Sequence, residues 1–344
     1  MANYVNSNLL KAQAILNDPG FGSADKRFRI PEVFNYLTAQ APIMFPESTG
    51  LRTREDRAVE AYYKERTQRA LGSARSHDHT GTRGAMGVLN PTWNTNTDEF
   101  AISLKQADNN LLSYEDMFRN ELDNVVANFA EGLEFDAVQF LFDNKTGVNA
   151  AVSEGVFNGT NDVFEVAAAS DEKRLIQISK SVMKENKYNP GYTIIADPVA
   201  FNKAEFFAAQ GTSNAENLTF QYPGISNVIC SVELGAAQNL AFGGAYSNGF
   251  WLVIPNGMAA ALNWIPRQNR EGEETKVNVY GSIQNPADGL TYAVHEYEER
   301  ADCTSTNGYT QDVELQFQFS IDISFDYAPL STANETPIIA IGLV

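Results

Sequence analysis

The most regular pattern in the chain is an alternation near its C-terminal end. Val313, Leu315, Phe317, Phe319, Ile321, Ile323, Phe325 and Tyr327 are apolar at every second position. The residues between them, from Glu314 to Asp326, are polar or charged. Successive side chains of a strand point to opposite faces, so this run predicts one strand with one buried face, about 15 residues and roughly 50 Å long. A second pattern has the helical period. Phe118, Leu122, Val125, Phe129, Leu133, Ala137, Phe140 and Leu141 form one apolar stripe, which predicts a helix from Ser113 to about Phe142. Ser113-Tyr114-Glu115-Asp116 resembles a capping box with Asp in place of Glu. About 29 residues at 1.5 Å each make a rod of roughly 43 Å. Rod and strand nearly match in length, and laying one across the other buries both stripes.

The remaining elements are shorter. Ser7 to Leu16 reads as an amphipathic helix stopped by Asp18-Pro19-Gly20. Phe28, Ile30, Val33, Phe34 and Leu37 follow, interrupted by Pro31, Pro42 and Pro46. That stretch reads as an arm with no core of its own, lying against something else. A strand is expected around Glu99 to Leu104, and loop with a short strand over 148–170. A helix is expected from Asp171 to Asn186, with Ile176, Ile178 and Val182 apolar. Asn189-Pro190-Gly191 is a turn signal, and Tyr192 to Ala196 reads as a buried strand. Asp197-Pro198 then supplies a cap and a first-turn proline, opening a helix whose apolar positions include Phe201, Phe206 and Phe207. Strands at 225–232 and 249–254 complete an α/β unit ending near Pro266. Lys276 to Tyr280 and Leu290 to His295 alternate like strands. The fold class is α+β.

Composition adds a constraint on partners. The 344 residues are 43% hydrophobic and 20% charged, which suits a globular chain with a sizeable core. The net charge of −18 argues against a surface built throughout to grip phosphates. One segment runs against that charge. Over 51–88, Arg52, Arg54, Arg57, Lys64, Arg66, Arg69, Arg75 and Arg83 face only Glu55, Asp56, Glu60, Glu65 and Asp78. These eight cations and five anions give the segment +3 and leave −21 on the rest of the chain. It is poor in apolar residues, and 72–87 is rich in Gly, Ser and Thr. So polar a segment cannot bury itself; it is expected to project as a loop or hairpin and meet a neighbouring chain, the plainer reading being a solvated surface loop.

Cys230 and Cys303 lie apart, in no zinc-like spacing, and read as reduced thiols. The N-terminal residues lack the basic and apolar regions of a signal peptide. No apolar run reaches the ~20 residues of a membrane helix. The expectation is a protein made in the cytosol that does not enter a membrane.

No catalytic motif is present. The chain has no GxxxxGK[ST], GxSxG or HExxH, and no GxGxxG after a strand. His77-Asp78-His79 is the one ligand-like cluster, and it stands in the polar Gly-rich segment without a second ligand set nearby. His295 alternates within a strand and is expected to face solvent beside Glu296 and Glu298. Carboxylate pairs such as Glu298-Glu299 lack a companion nucleophile. Trp93, Trp251 and Trp264 read as packing residues. The expectation is no enzyme, no catalytic residue, no cofactor and no metal.

The order of elements is informative. An arm precedes a long basic loop, a strand returns into a rod helix, an α/β unit with strand-Asp197-Pro198-helix follows, and long strands close the chain. This order resembles the HK97-fold major capsid proteins of tailed bacteriophages. Three stretches look like that family: Trp93 to Asn110 leading into the rod helix, Tyr192 to Pro198, and Gly249 to Pro255. The resemblance implies an N-terminal arm over 1–50, an extended E-loop over 51–105 and a peripheral domain with the spine helix over 106–190. An axial domain over 191–266 and the peripheral domain's long strands with a C-terminal segment over 267–344 follow.

What the resemblance implies for function is a subunit that self-assembles into the pentamers and hexamers of an icosahedral head enclosing double-stranded DNA, held by weak non-specific contacts. Its place would be the virion, after synthesis in a bacterial cytoplasm. Inter-subunit contacts would come from Arg52, Arg54, Arg57, Lys64, Arg66, Arg69 and Arg75. The chain opens on an arm-like sequence and not on the long charged helical segment of many relatives, so a separate scaffolding protein is implied, along with a portal protein. Lys64 is the one lysine in the loop proper, no cross-link partner can be matched to it, and no covalent cross-link is predicted. The alternatives are an encapsulin-type shell, which encloses cargo protein, and an unrelated binding protein or enzyme.

Overall fold

The computed structural model describes residues 7–18, 30–64, 71, 81, 83–84, 86–103, 114–149, 154–210, 224–275, 278–285, 289–301, 312–330 and 332–344. In chain order its strands are β1 (Ala61–Lys64), β2 (Met86–Leu89), β3 (Asn94–Ser103), β4 (Val156–Asn158), β5 (Val163–Val166), β6 (Tyr192–Ala196) and β7 (Ile225–Cys230). Then come β8 (Phe250–Pro255), β9 (Ala259–Trp264), β10 (Glu273–Glu274), β11 (Asn278–Gln284), β12 (Thr291–Ala301), β13 (Asp312–Tyr327) and β14 (Ile339–Leu343).

The two long elements meet as their patterns require. The helix Tyr114–Asp143 has 30 residues, about 45 Å. It lies across an antiparallel sheet of order β10-β11-β12-β13-β3, with β9 paired to the far end of β13. Leu122, Val125, Phe129 and Leu133 are buried in this contact. Aromatic rings mark its length: Phe118 sits 5.2 Å from Phe317, Phe129 4.7 Å from Tyr292, and Phe140 5.4 Å from Phe325. Ser113, the cap of the expected capping box, lies outside the described residues, while Glu115 and Asp116 stand in the helix's first turn.

The α/β unit is built on a second sheet of order β4-β5-β14-β8-β6-β7. It draws on more of the chain than the 192–266 stretch read from the sequence. β4 and β5 come from before that stretch, and β14 comes from the far end of the chain, between β5 and β8. β9, in contrast, leaves this unit and joins the first sheet. Every residue of β6, β8 and β14 is buried, so these strands carry no alternation to betray which sheet they enter. Asp197 acts as expected at the end of β6: its Oδ1 accepts from Ala200 N at 2.7 Å, the cap of the helix Pro198–Gln210. Its Oδ2 also accepts from Phe250 N at 3.1 Å, tying that cap to β8. Trp251 is a packing residue whose Nε1 donates to Ser179 Oγ at 2.8 Å. Phe206 is exposed, against its reading as an apolar packing position, and the side chain of Phe207 lies outside the described residues.

The arm differs most from expectation. The helix Ser7–Leu16 forms as read, but Glu32–Met44 is helical too, with Pro42 in its last turn. Both belong to the subunit's own core: Leu9, Ala12 and Leu16 from the first, Val33, Phe34 and Leu37 from the second. The second helix covers the free edge of β9, with Phe34 edge-on to Phe325 at 6.0 Å. The chain then turns under the opposite face of the sheet. There Ala41, Phe45, Leu51 and Val59 pack with Ala260 and Leu262. Asp322, Ser324 and Asp326, read as the solvent face of the long strand, are consequently buried. That stretch of β13 is covered on both sides.

His295 corrects another expectation. It does not stand free in solvent but stacks on Tyr280 at 4.5 Å and on Tyr297 at 5.6 Å. Glu296 points to the other face, as alternation requires, and accepts from Asn8 Nδ2 at 2.8 Å. Burial pushes the His295 imidazole down from its ordinary value.

Candidate interface regions

The basic segment begins at a short 3-10 turn, Pro46–Thr53, and reaches the hairpin of β1 and β2. The hairpin pairs Ala61 with Leu89 and Lys64 with Met86. Two strands of four residues bury little by themselves. Tyr62, Met86 and Val88 are exposed on it. Apolar side chains presented on a projecting ribbon are the usual mark of a surface that meets another chain. Arg52 lies in the 3-10 turn and Lys64 at the end of β1. Arg66, Arg69 and Arg75 lie outside the described residues, as do His77, His79 and Cys303.

Arg54 and Arg57 are placed at the root of the segment, in bonds within the subunit. Arg57 Nη1 donates to Asp322 Oδ2 at 2.8 Å, and Thr95 Oγ1 donates to Oδ1 of the same carboxylate at 2.5 Å. Arg54 donates to Glu47 Oε2 at 3.1 Å and to the Ala58 carbonyl at 3.2 Å. A one-turn helix, Arg267–Glu271, stands beside them. Arg267 pairs with Glu55, and Arg270 donates to the Arg54 carbonyl. The turn is fixed to the sheet by Asn269, whose Nδ2 donates to the carbonyls of Gly281 at 3.1 Å and Val294 at 2.9 Å. No sequence motif announced this set, since Arg57 and Asp322 are 265 residues apart.

The α/β unit presents a different surface. Val199 and Phe206 on the helix Pro198–Gln210, and Val232 and Leu240 on the helix Val232–Phe242, are exposed. The second of these helices was not read from the sequence. A depression of about 520 Å³ elsewhere in the unit is lined by Lys180, Ser181, Lys184 and Tyr192 among others, and among the described residues no carboxylate, histidine or cysteine stands in its wall. Among the described residues no group of three metal-ligating side chains converges, and no helix is long and apolar enough to cross a membrane.

Two buried carboxylates stand out, and both hold structure. Glu134, in the C-terminal half of the long helix, accepts from Val33 N at 2.9 Å and Phe34 N at 3.4 Å, and from Ser231 Oγ at 3.4 Å. It thus caps the helix Glu32–Met44 from outside. Burial pushes its carboxyl up to about 7, assisted by nearby Glu32 and opposed by the three hydrogen bonds. Asp326 is pushed up to about 6, also by burial. A carboxyl whose folded value is raised contributes stability that is full below its unfolded value and is lost as pH rises through the folded one. For Glu134 that window runs from about 4.5 to about 7. Protection of the Val33 and Phe34 amides, with exchange rates corrected for intrinsic base catalysis, should therefore fall between about pH 5 and pH 8. Glu134→Gln, which keeps an acceptor oxygen without a charge, should flatten the dependence.

No family model matches the chain, and no curated protein matches it. Solved structures do. The chain is similar to one in the Cyanophage Pam1 capsid asymmetric unit, with TM-score 0.51 and 8% identity over 86% of this chain and 87% of that one. It is also similar to one in the Cyanophage A-1(L) capsid asymmetric unit, with TM-score 0.50 and 10% identity over 93% of this chain and 94% of that one. At these identities the likeness is one of fold: a mixed α+β chain of the HK97-like capsid type along nearly its whole length.

Proposed function

We propose that this protein is the major capsid protein of a tailed bacteriophage, a structural subunit and not an enzyme, assembling into the pentamers and hexamers of an icosahedral head around double-stranded DNA. The observation that carries the reading is the capsid fold over 93% of the chain. The exposed ribbon of Tyr62, Met86 and Val88 supports it, as a surface the single subunit leaves uncovered. In this reading 1–50 is the arm, 51–105 the E-loop, 106–190 and 267–344 the peripheral domain, and 191–266 the axial domain. Arg52, Lys64, Arg66, Arg69 and Arg75 meet sister subunits. Scaffolding protein, portal protein and packaged DNA are the other partners, and the virion is its place, after synthesis in the host's cytoplasm.

The test is a negative-stain micrograph of the purified protein across concentration, salt and crowding agents, with and without a scaffolding protein. Rings or closed shells are the expected result. A protein that stays monomeric under all these conditions overturns the reading.

A further inference from the structure

We propose that Arg57, Asp322 and the turn Arg267–Glu271 form a clasp that sets the direction in which the basic hairpin leaves the subunit. The chain enters this region buried, through Phe45 and Leu51, and leaves it past the buried Val59 as β1, where Tyr62 is 74% exposed. Between these two states lie residues 54–57. Arg54 also bonds locally to Glu47 and to the Ala58 carbonyl, but the bonds that tie these residues to the body of the subunit come from rigid elements. Asp322 sits in the middle of β13, flanked by β3 and β9, and its position is further fixed by Thr95 of β3. Arg267 and Arg270 stand on a turn pinned to β11 and β12 by Asn269. The guanidinium of Arg270 also lies 5.7 Å from the Trp264 ring, on β9. Five strands of the long sheet, β3, β9, β11, β12 and β13, therefore define where residues 54–57 can lie.

Asp322 is the centre of the device. Its carboxylate is almost wholly buried, while Arg57 is about two-fifths exposed. A buried carboxylate needs a charged or hydrogen-bonding partner, and here the partner is supplied by the loop. The sheet's own requirement for charge compensation thus holds the loop root in place. The geometry matters because a ribbon leaving the body at its root magnifies angular error: a ribbon of four residues beyond Arg57 is already about 13 Å long. Contacts made at its far end with another subunit depend on an angle fixed at residues 54–57. Arg57 and Asp322 act as positioning residues.

The assembly arm of the test rests on the capsid reading; the proteolysis arm does not. Trypsin cuts after Arg66, Arg69, Arg75 and Arg83, all beyond the root. Arg57→Ala and Asp322→Asn should each raise the cleavage rate at these bonds roughly fivefold, a discounted figure for a half-exposed charge-assisted bond. Cleavage elsewhere should stay close to wild type, and the thermal midpoint should fall more in Arg57→Ala, which leaves the buried carboxylate without its counter-charge, than in Asp322→Asn. Shell yield should fall at least about fivefold in the same proportion, and Arg57→Lys should recover part of it. Wild-type rates at the four bonds in both variants would overturn the proposal. So would a rise in cleavage spread evenly over the chain, which would make the pair a general stabiliser. If wild-type protein forms no shells, the capsid reading fails while the cleavage rates still decide the clasp.

Discussion

Replacing Phe129 by Ala should lower the stability of the unassembled subunit by about 3–5 kcal/mol, measured by denaturant unfolding. The residue sits midway along the 30-residue helix, 5% exposed, with its ring 4.7 Å from that of Tyr292 on β12. Leu122, Val125, Val126 and Leu133 are buried around it. None of these neighbours can swing in to fill the space, because each belongs to the same rigid helix or the sheet beneath. Truncation therefore removes the transfer energy of a benzyl group and leaves a cavity in addition. The contrast is Phe135, which is exposed on the same helix. Phe135→Ala should change unfolding by no more than about 0.5 kcal/mol. Equal losses at both positions would show that the helix does not lie on the sheet by this face.

Reversing Arg66, Arg69 and Arg75 to Glu should abolish shell formation with no nucleic acid present. The segment 51–88 carries +3 in a chain whose other residues carry −21. On the proposed capsid reading, sister subunits of this charge repel one another, and at a Debye length of about 8 Å only close opposite charges escape screening by salt. A basic loop laid on an acidic neighbour relieves that repulsion locally and penalises wrong dockings. Arginine suits the task, since its planar fork binds a carboxylate through two hydrogen bonds. The triple reversal changes the segment from +3 to −3. Electron microscopy and light scattering of nucleic-acid-free material decide the matter. Normal empty shells that only fail to hold DNA would move these arginines to the interior surface.

The sequence disclosed those elements whose burial is one-sided. The stripe from Phe118 to Leu141 and the alternation from Leu315 to Ile321 each turn their apolar side chains to the core and leave another face polar, so each shows its period. Elements buried on several sides, or hardly at all, show none. The helix Val232–Phe242 buries Leu234 and Gln238 but leaves Val232 and Leu240 in solvent, so its apolar residues trace no stripe. The helix Glu32–Met44 has the right spacing in Val33, Phe34, Leu37 and Ala41, but Pro42 reads as a helix breaker although it falls in the last turn. Asp322 and Asp326 were polar positions in a strand and gave no sign that residues 45–59 would cover them. The loop root was illegible for a related reason. Arg54 and Arg57 announce charge, but their partners are set by the wrapping of the chain around the β9 edge, which no local pattern encodes.

The position of β14 bears on how the subunit is made. It is hydrogen-bonded to β5 on one side and β8 on the other, yet about 170 residues separate it from β5 in the chain. A ribosome that has finished β4 to β8 has produced two half-sheets with raw edges facing each other, β5 on one and β8 on the other. They cannot close until 339–343 emerges. Pairing over so long a separation is slow, and open strand edges are templates for the wrong partner. Closure of the second sheet therefore waits on a strand about 170 residues downstream of β5, and until it arrives the edges of β5 and β8 stay open to other strands.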